Sequence, residues 1–255
     1  MSERYFEFRG VSKSFDENDV LKDVSFYVNK GETGVIMGRS GVGKSVSLKL
    51  LLGFLQADAG KIFIAGREVT NLSEEHFSEI RRRVTMVFQS GALFDSLTVA
   101  ENVAFPLESH GGHVDTDAVD RKVAELLEML EVAQYADRLP ADLSTGTKRA
   151  VAIARALAED PDAILYDEPT TMVDPLMAGH MSQLIERMKS KFNKTSIVVT
   201  HDTHLAKRLA DRVIFLHEGR VQFFGTWPEL EKSDDPFLRN FLDEDKLIPA
   251  LDATA

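Results

Sequence analysis

The stretch Gly38-Arg39-Ser40-Gly41-Val42-Gly43-Lys44-Ser45 limits what this chain can fold into more than any other, because it fills every specified position of the glycine-rich P-loop pattern. An apolar run, Gly34-Val35-Ile36-Met37, precedes it and an apolar-rich segment from Val46 to Leu52 follows, so the stretch sits where a strand hands over to a helix. Its glycines let backbone N–H groups turn inward around a phosphate chain. The helix that begins near Gly43 offers its own unpaired N–H groups to the same anion. In such a loop Lys44 reaches the β- and γ-phosphates and the Ser45 hydroxyl holds Mg²⁺. A glycine turn with an incidental Lys-Ser pair accounts for the composition but not for the flanking strand and helix.

A chain of 255 residues with 44% hydrophobic content can form one large domain, or a domain carrying a lobe. Its 30 basic and 41 acidic residues leave a formal charge of -11, which argues against a protein that lies along a nucleic-acid backbone. Nucleotide binding stays open, since it needs only a local cluster. Cys is absent, which removes disulfides and thiolate metal sites and fits a reducing compartment. Met1-Ser2-Glu3-Arg4-Tyr5 starts a polar and aromatic strand pattern rather than a basic segment before an apolar run, so no secretory leader is expected. No apolar run reaches the roughly 18 residues that span a bilayer. Any membrane role is expected to come through a partner.

Alternation from Tyr5 to Phe15 and from Val20 to Val28, with turn-prone Asp16-Glu17-Asn18-Asp19 between, predicts an antiparallel hairpin. Phe15 is either a core residue of that hairpin or a flat apolar surface for an adenine, a stacking contact of about 1–3 kcal/mol. Gly60 to Gly66 reads as a short strand, and Ser73 to Arg83 as a polar helix whose three terminal arginines suit its dipole. Val84 to Phe88 reads as a buried strand ending at Gln89. That Gln is a turn residue or, since ligands gather at the carboxyl ends of strands in α/β folds, a group that reaches Mg²⁺ or the attacking water.

Strand-like runs vanish between Ser90 and Leu157, which predicts a helical lobe inserted into an α/β core. Thr98 to Ala104 looks helical and Gly111-Gly112 breaks the chain. Asp115 to Leu130 then places Val119, Val123, Leu126, Leu127 and Leu130 on one helical face. Leu143-Ser144-Thr145-Gly146-Thr147 leads into a helix through Leu157. Ser144 or Thr145 can cap that helix, and the same geometry makes an anion site. The chain holds its phosphates elsewhere, so a second such site suggests another subunit's nucleotide.

The core resumes at Asp162 to Tyr166 and ends in Asp167-Glu168-Pro169. Adjacent carboxylates at the end of a buried strand are costly without a cation. Asp167 fits the Mg²⁺ carboxylate of P-loop enzymes, which leaves Glu168 to orient or deprotonate a water. Met172-Val173-Asp174-Pro175 opens a helix with Asp174 as a possible cap. Ser196 to Thr200 is another buried strand, ending in His201-Asp202. Val213 to Leu216, a Glu218-Gly219 turn and Val221 to Phe224 close the core, and Pro236 to Leu242 predicts a short helix before an acidic tail.

These pieces, in this order, resemble the ATPase subunit of ABC transporters over roughly residues 4 to 230. The resemblance implies an α/β fold: a P-loop NTPase core, with a mixed sheet, flanking helices and an N-terminal antiparallel β subdomain. An ATPase domain over 1–230 would carry a helical subdomain at 89–157 and be followed by a tail at 231–255. It further implies Phe15 under the adenine, Gly38 to Ser45 as Walker A with Val46 beside it, and Gln89 as the Q-loop glutamine. Leu143 to Thr147 becomes the signature, with Ser144 and Gly146 facing a γ-phosphate. Asp167 and Glu168 become the Walker B aspartate and catalytic glutamate, Asp174 part of the D-loop and His201 the switch histidine. The implied catalytic group is Lys44, Gln89, Glu168 and His201; Ser45, Gln89 and Asp167 hold the metal. ATP and Mg²⁺ are the expected cofactors, bound between two copies of the chain paired head to tail.

A narrower resemblance, to the ATPases of Mla/Mce-type lipid transport systems, rests on Gly43 to Leu51, Phe88 to Leu107, Tyr166 to Thr171 and Asp235 to Leu242. It implies an integral membrane permease, an Mce-domain substrate-binding protein and a small accessory subunit as partners, at the cytoplasmic face of the inner membrane. Nucleic acid is not among them. Where the family usually has Leu-Ser-Gly-Gly-Gln this chain has Thr145 and Thr147, and Met172-Val173 replaces the usual Gly-Leu.

Overall fold

A computed structural model describes residues 3–109, 115–173 and 175–246; the Gly111-Gly112 break and Asp174 lie outside them. The expected hairpin is present as β1 (Arg4–Phe15) and β2 (Asn18–Asn29), paired antiparallel. β3 (Thr33–Met37) runs into the P-loop and α1 (Lys44–Leu51). β4 (Ala59–Ile64) and the short β5 (Arg67–Glu68) complete a four-stranded sheet in the order β2-β1-β4-β5. α2 (Glu74–Arg83) carries Glu74 and Glu75 in its first turn and Arg81, Arg82 and Arg83 in its last, the charge order its dipole favours. β6 (Val84–Val87) follows.

From Ser90 to Leu157 the described residues form no strand. α3 (Val99–Glu108) opens with a capping box between Thr98 and Glu101. α4 (Thr116–Met129) is capped by Asp115, and Val119, Val123, Leu126, Leu127 and Leu130 are all buried, as their spacing predicts. α5 (Thr145–Leu157) starts at Ser144, whose Oγ accepts the Thr147 N–H.

β7 (Ala163–Asp167), α6 (Pro175–Phe192), β8 (Thr195–Val199), α7 (Thr203–Leu209), β9 (Arg212–His217) and β10 (Arg220–Gly225) finish the core. α8 (Trp227–Glu231) and α9 (Pro236–Lys246) end the described chain. The six-stranded sheet runs β10-β9-β3-β8-β7-β6, parallel apart from the antiparallel β9–β10 pair.

Successive side chains of these strands point to opposite faces, and each face has its own core. Val35, Ile164, Tyr166, Val198, Val213 and Phe215 meet the helices α3 to α9, whereas Ile36, Leu165, Ile197, Val199, Ile214 and Leu216 meet α1, α2 and the antiparallel sheet. Each such side chain contributes about 1.5–3 kcal/mol on full burial, enough to fix the register of every strand end. The strands therefore deliver their C-terminal residues to one edge as a rigid set.

Candidate functional site

The P-loop is shaped by two crowded glycines. Gly38 has φ +144 and a Cβ there would lie 2.3 Å from the Leu216 carbonyl oxygen; Gly43 has φ +100 and a Cβ would lie 2.5 Å from Leu21 Cδ2. Both positions demand the conformation and the space that only glycine allows. Gly43 also begins α1 with no side-chain cap and no acidic residue in the first turn, so the helix mouth keeps its N–H groups for an anion. Lys44 is buried, and its Nζ donates to the carbonyls of Gly38 at 2.8 Å and Arg39 at 3.1 Å.

β8 lies between β3 and β7, so the residues after these three strands converge. The Ser45 hydroxyl donates to Asp167 Oδ1 at 2.7 Å across 122 residues of sequence. Lys44 Nζ stands 3.4 Å from Glu168 Oε1. Glu168 Oε2 meets His201 Nδ1 at 2.9 Å and accepts the Thr171 hydroxyl at 2.9 Å. The parallel ladder is continued past the strand ends by Glu168 N–H to the Val199 carbonyl and Thr200 N–H to the Ile36 carbonyl, which fixes Glu168 and His201 against the P-loop. Glu168 itself sits at φ +48, a left-handed conformation that a non-glycine residue keeps only when its surroundings hold it.

The two neighbouring carboxylates are driven apart electrostatically. Burial pushes the Asp167 carboxyl above its ordinary value, with the Glu168 charge adding to the effect and the Ser45 hydrogen bond opposing it. Burial works against the Glu168 charge too. There the His201 hydrogen bond, the charges of Lys44 and His201 and the Thr171 hydroxyl outweigh it, and the pKa is lowered. The Glu168 hydrogen bond raises His201 above its ordinary 6.5. This pairing stabilises the fold below the ordinary imidazole value and is lost as pH rises through the raised one; on the acid side it is lost as pH falls through the lowered Glu168 value. An NMR titration is expected to give His201 a midpoint above 6.5, moving back towards it in Glu168→Gln. A midpoint unmoved by that substitution would show that the pair does not form in solution.

Other expected residues are placed less tightly. Phe15 ends β1 and is 41% exposed, with Lys13 Nζ 5.4 Å from its ring centroid, so it is available as a flat surface rather than used in the core. Arg39, Ser40 and Gly41 are exposed on the loop. Gln89 lies in the turn after β6, exposed and without a hydrogen bond to Ser45, Asp167 or Glu168. Ser144 is exposed and its hydroxyl also pairs with Thr147 Oγ1 at 2.8 Å, so Thr147 locks the cap. Gly146 is buried inside its own chain: a Cβ there would lie 2.2 Å from Met177 Cε. A side chain there would have to displace the flexible end of Met177, which packs α6 against α5. Asp174 lies outside the described residues.

Sequence reasoning passed over two cations of α5. Arg149 is buried and donates to the Pro169 carbonyl at 2.5 Å and to the Thr171 carbonyl, the loop that follows Glu168. Arg155 donates to the carbonyls of Ala92 at 2.9 Å and Gly91 at 3.1 Å, holding the loop that follows Gln89. No group of three His, Cys, Asp or Glu able to hold a metal occurs among the described residues. The Ser45–Asp167 pair is a hard-oxygen half-site suited to a Mg²⁺ shared with phosphate oxygens.

A glycine loop at a helix mouth, a buried lysine, and a hydroxyl–carboxylate pair at the C-terminal edge of a parallel sheet define a P-loop nucleotide hydrolase. The family described as ABC transporter matches residues 21–171. The chain belongs to that family, as one of its ATPase domains. It is 35% identical over 243 residues to a probable ribonucleotide transport ATP-binding protein of Mycobacterium leprae, spanning 95% of this chain and 70% of that one. It is 36% identical over 242 residues to the intermembrane phospholipid transport system ATP-binding protein MlaF of Haemophilus influenzae, spanning 95% and 91%. The dimeric post-hydrolysis state of an ATP-binding cassette bound to ADP and Pi matches with a TM-score of 0.79 and 32% identity, over 87% of this chain and 98% of that chain.

Proposed function

We propose that this chain is the ATP-hydrolysing subunit of a transporter that moves lipid, phospholipid in particular. It works as a head-to-tail pair of copies beneath a membrane permease, peripheral to the cytoplasmic face of an inner membrane. The convergence of Lys44 and Ser45 on Asp167, Glu168 and His201 carries the hydrolytic reading. Phe15 stacks on the adenine while the N–H groups from Gly38 to Val46 surround the phosphates. Lys44 leaves the carbonyls of Gly38 and Arg39 to meet the β- and γ-phosphate oxygens. Ser45 and Asp167 would hold Mg²⁺, which neutralises charge on those oxygens, with Gln89 joining when its turn swings inward. Glu168, kept ionised, accepts hydrogen bonding from the attacking water, and His201 orients the carboxylate and the γ-phosphate. Ser144 and Gly146 present the α5 mouth to the nucleotide of the other copy, and Asp174 lies at that contact.

Residues 1–230 form the ATPase unit, 89–157 its helical lobe and 231–255 a tail. On the lobe, Phe94 and Phe105 are 43% and 41% exposed with ring centroids 4.6 Å apart, a surface suited to an apolar segment of the permease. Buried Asn102 holds it in shape, accepting the Phe94 N–H and donating to the carbonyls of Phe94, Leu97 and Thr98. No helix among the described residues is long and apolar enough to cross a membrane; in this reading the Phe94–Phe105 surface carries the membrane association.

The lipid reading is supported by the stretches from Phe88 to Leu107 and Asp235 to Leu242, and by the near-complete overlap with MlaF. An Mce-domain substrate-binding protein and a small accessory subunit complete the assembly. Purification of the chain with its membrane partners, followed by mass spectrometry of bound small molecules, is expected to return phospholipid. A complex that carries no lipid and whose ATPase rate responds to a ribonucleotide or another soluble solute would overturn the lipid reading and leave the ATPase reading standing.

A further inference from the structure

Arg149 is 3% exposed, and no carboxylate among the described residues pairs with it. Among the described residues its guanidinium donates only to the carbonyls of Pro169 and Thr171, and its Nε has no partner. Burial lowers its pKa. A buried charge held only by neutral acceptors is a costly arrangement, and an apolar side chain of similar volume would serve packing at least as well. The feature that sets these two carbonyls apart is their position. Both belong to the turn that begins at Glu168, in which Thr171 N–H donates to the Glu168 carbonyl and the Thr171 hydroxyl donates to Glu168 Oε2. Glu168 is the residue in that turn with the left-handed backbone, which must be held from outside.

We propose that Arg149 is a positioning residue for Glu168: by gripping two carbonyls of the turn that follows it, Arg149 aims the carboxylate at the P-loop and ties it to the α5 mouth at Ser144. The inference rests on the reading of Glu168 as the group that prepares the water. It adds a rigid link within one chain, from Ser144, facing the other copy's nucleotide, to the carboxylate that serves its own. α5 carries the link because Arg149 lies inside the helix, within two turns of its cap. The planar fork of Arg spans two carbonyls at once, whereas Lys offers a single point charge that cannot reproduce the spacing.

The test is steady-state ATP hydrolysis and equilibrium ATP binding by the full chain in the complex with which it purifies, comparing Arg149→Met, Arg149→Lys and Glu168→Gln. Arg149→Met is expected to lower kcat by at least about tenfold while KM and ATP affinity stay within about twofold, and Arg149→Lys to recover only part of the loss. A folded Arg149→Met protein with wild-type kcat overturns the proposal. So does a loss of kcat matched by an equal loss of affinity, which means a general loosening of the site. Should Arg149→Met not fold, Arg149→Lys decides: wild-type kcat overturns the inference, and reduced kcat at intact affinity supports it. Glu168→Gln separates the layers. If it keeps full turnover, the role of Glu168 fails and the Arg149 inference with it; if it is inactive while the Arg149 variants are not, the Arg149 inference alone fails.

Discussion

Lys44→Ala abolishes ATP binding in an equilibrium titration at concentrations that saturate the unmodified chain. The lysine is buried with its Nζ on the carbonyls of Gly38 and Arg39, poised at the lip of the loop where the phosphates belong. Two charge-assisted hydrogen bonds to phosphate oxygens, at about 1.5–3 kcal/mol each, correspond to at least about 100-fold in Kd. A second consequence distinguishes this residue from a generic surface cation. Lys44 Nζ is 3.4 Å from Glu168 Oε1, so its removal takes away one of the charges that keep Glu168 ionised against burial. The variant therefore lowers turnover even at ATP concentrations high enough to restore some occupancy. A thermal melt alongside shows whether the buried Glu168 left without its cation has unfolded the chain instead. Unchanged ATP affinity in a folded Lys44→Ala protein would contradict the assignment of the loop.

Much of this arrangement is legible in the sequence because the polar residues fall at the ends of strands whose apolar runs are unmistakable. Asp167, His201 and the P-loop each follow a run of buried residues. Their convergence is another matter. Ser45 and Asp167 lie 122 residues apart, and only the strand order, with β8 between β3 and β7, brings them within hydrogen-bonding distance. The four buried positions of α4, with Leu130 at its cap, show the helical period plainly, whereas α7 and α8, at 7 and 5 residues, are too short for a period to emerge. β5 is two residues long and owes its existence to β4 beside it.

Arg149 escaped for a different reason. A basic residue near a helix start reads as solvated, and its partners are backbone carbonyls, which leave no trace in residue types. Gly146 is legible as a site for an approaching phosphate, and the structure adds that the flexible end of the Met177 side chain of the same chain lies against it. Gln89 illustrates the converse. Its strand end was foreseen, but the side chain stays exposed in a turn, because nothing in the isolated strand pulls it towards Ser45 and Asp167.

Glu168→Gln retains ATP binding and loses turnover by about 10²–10⁴-fold, the range a positioned general base contributes. The substitution is nearly isosteric, and its carbonyl oxygen still accepts the Thr171 hydroxyl, so the turn and its left-handed residue persist. What disappears is the charge. The carboxylate is held ionised below its ordinary value against its own burial, and that charge is what an attacking water needs beside it. Lys44 loses only a counterion and remains free for phosphate, which is why affinity survives in this variant and not in Lys44→Ala. Single-turnover kinetics with equilibrium binding on the same preparation separate the two effects. A Glu168→Gln protein that hydrolyses ATP at the wild-type rate would exclude this carboxylate from the chemistry. The Lys44–Glu168 contact and the His201 hydrogen bond would then be devices of folding stability alone, and the pH dependence of stability, lost at both ends of the window set by His201 and Glu168, would be their whole signature.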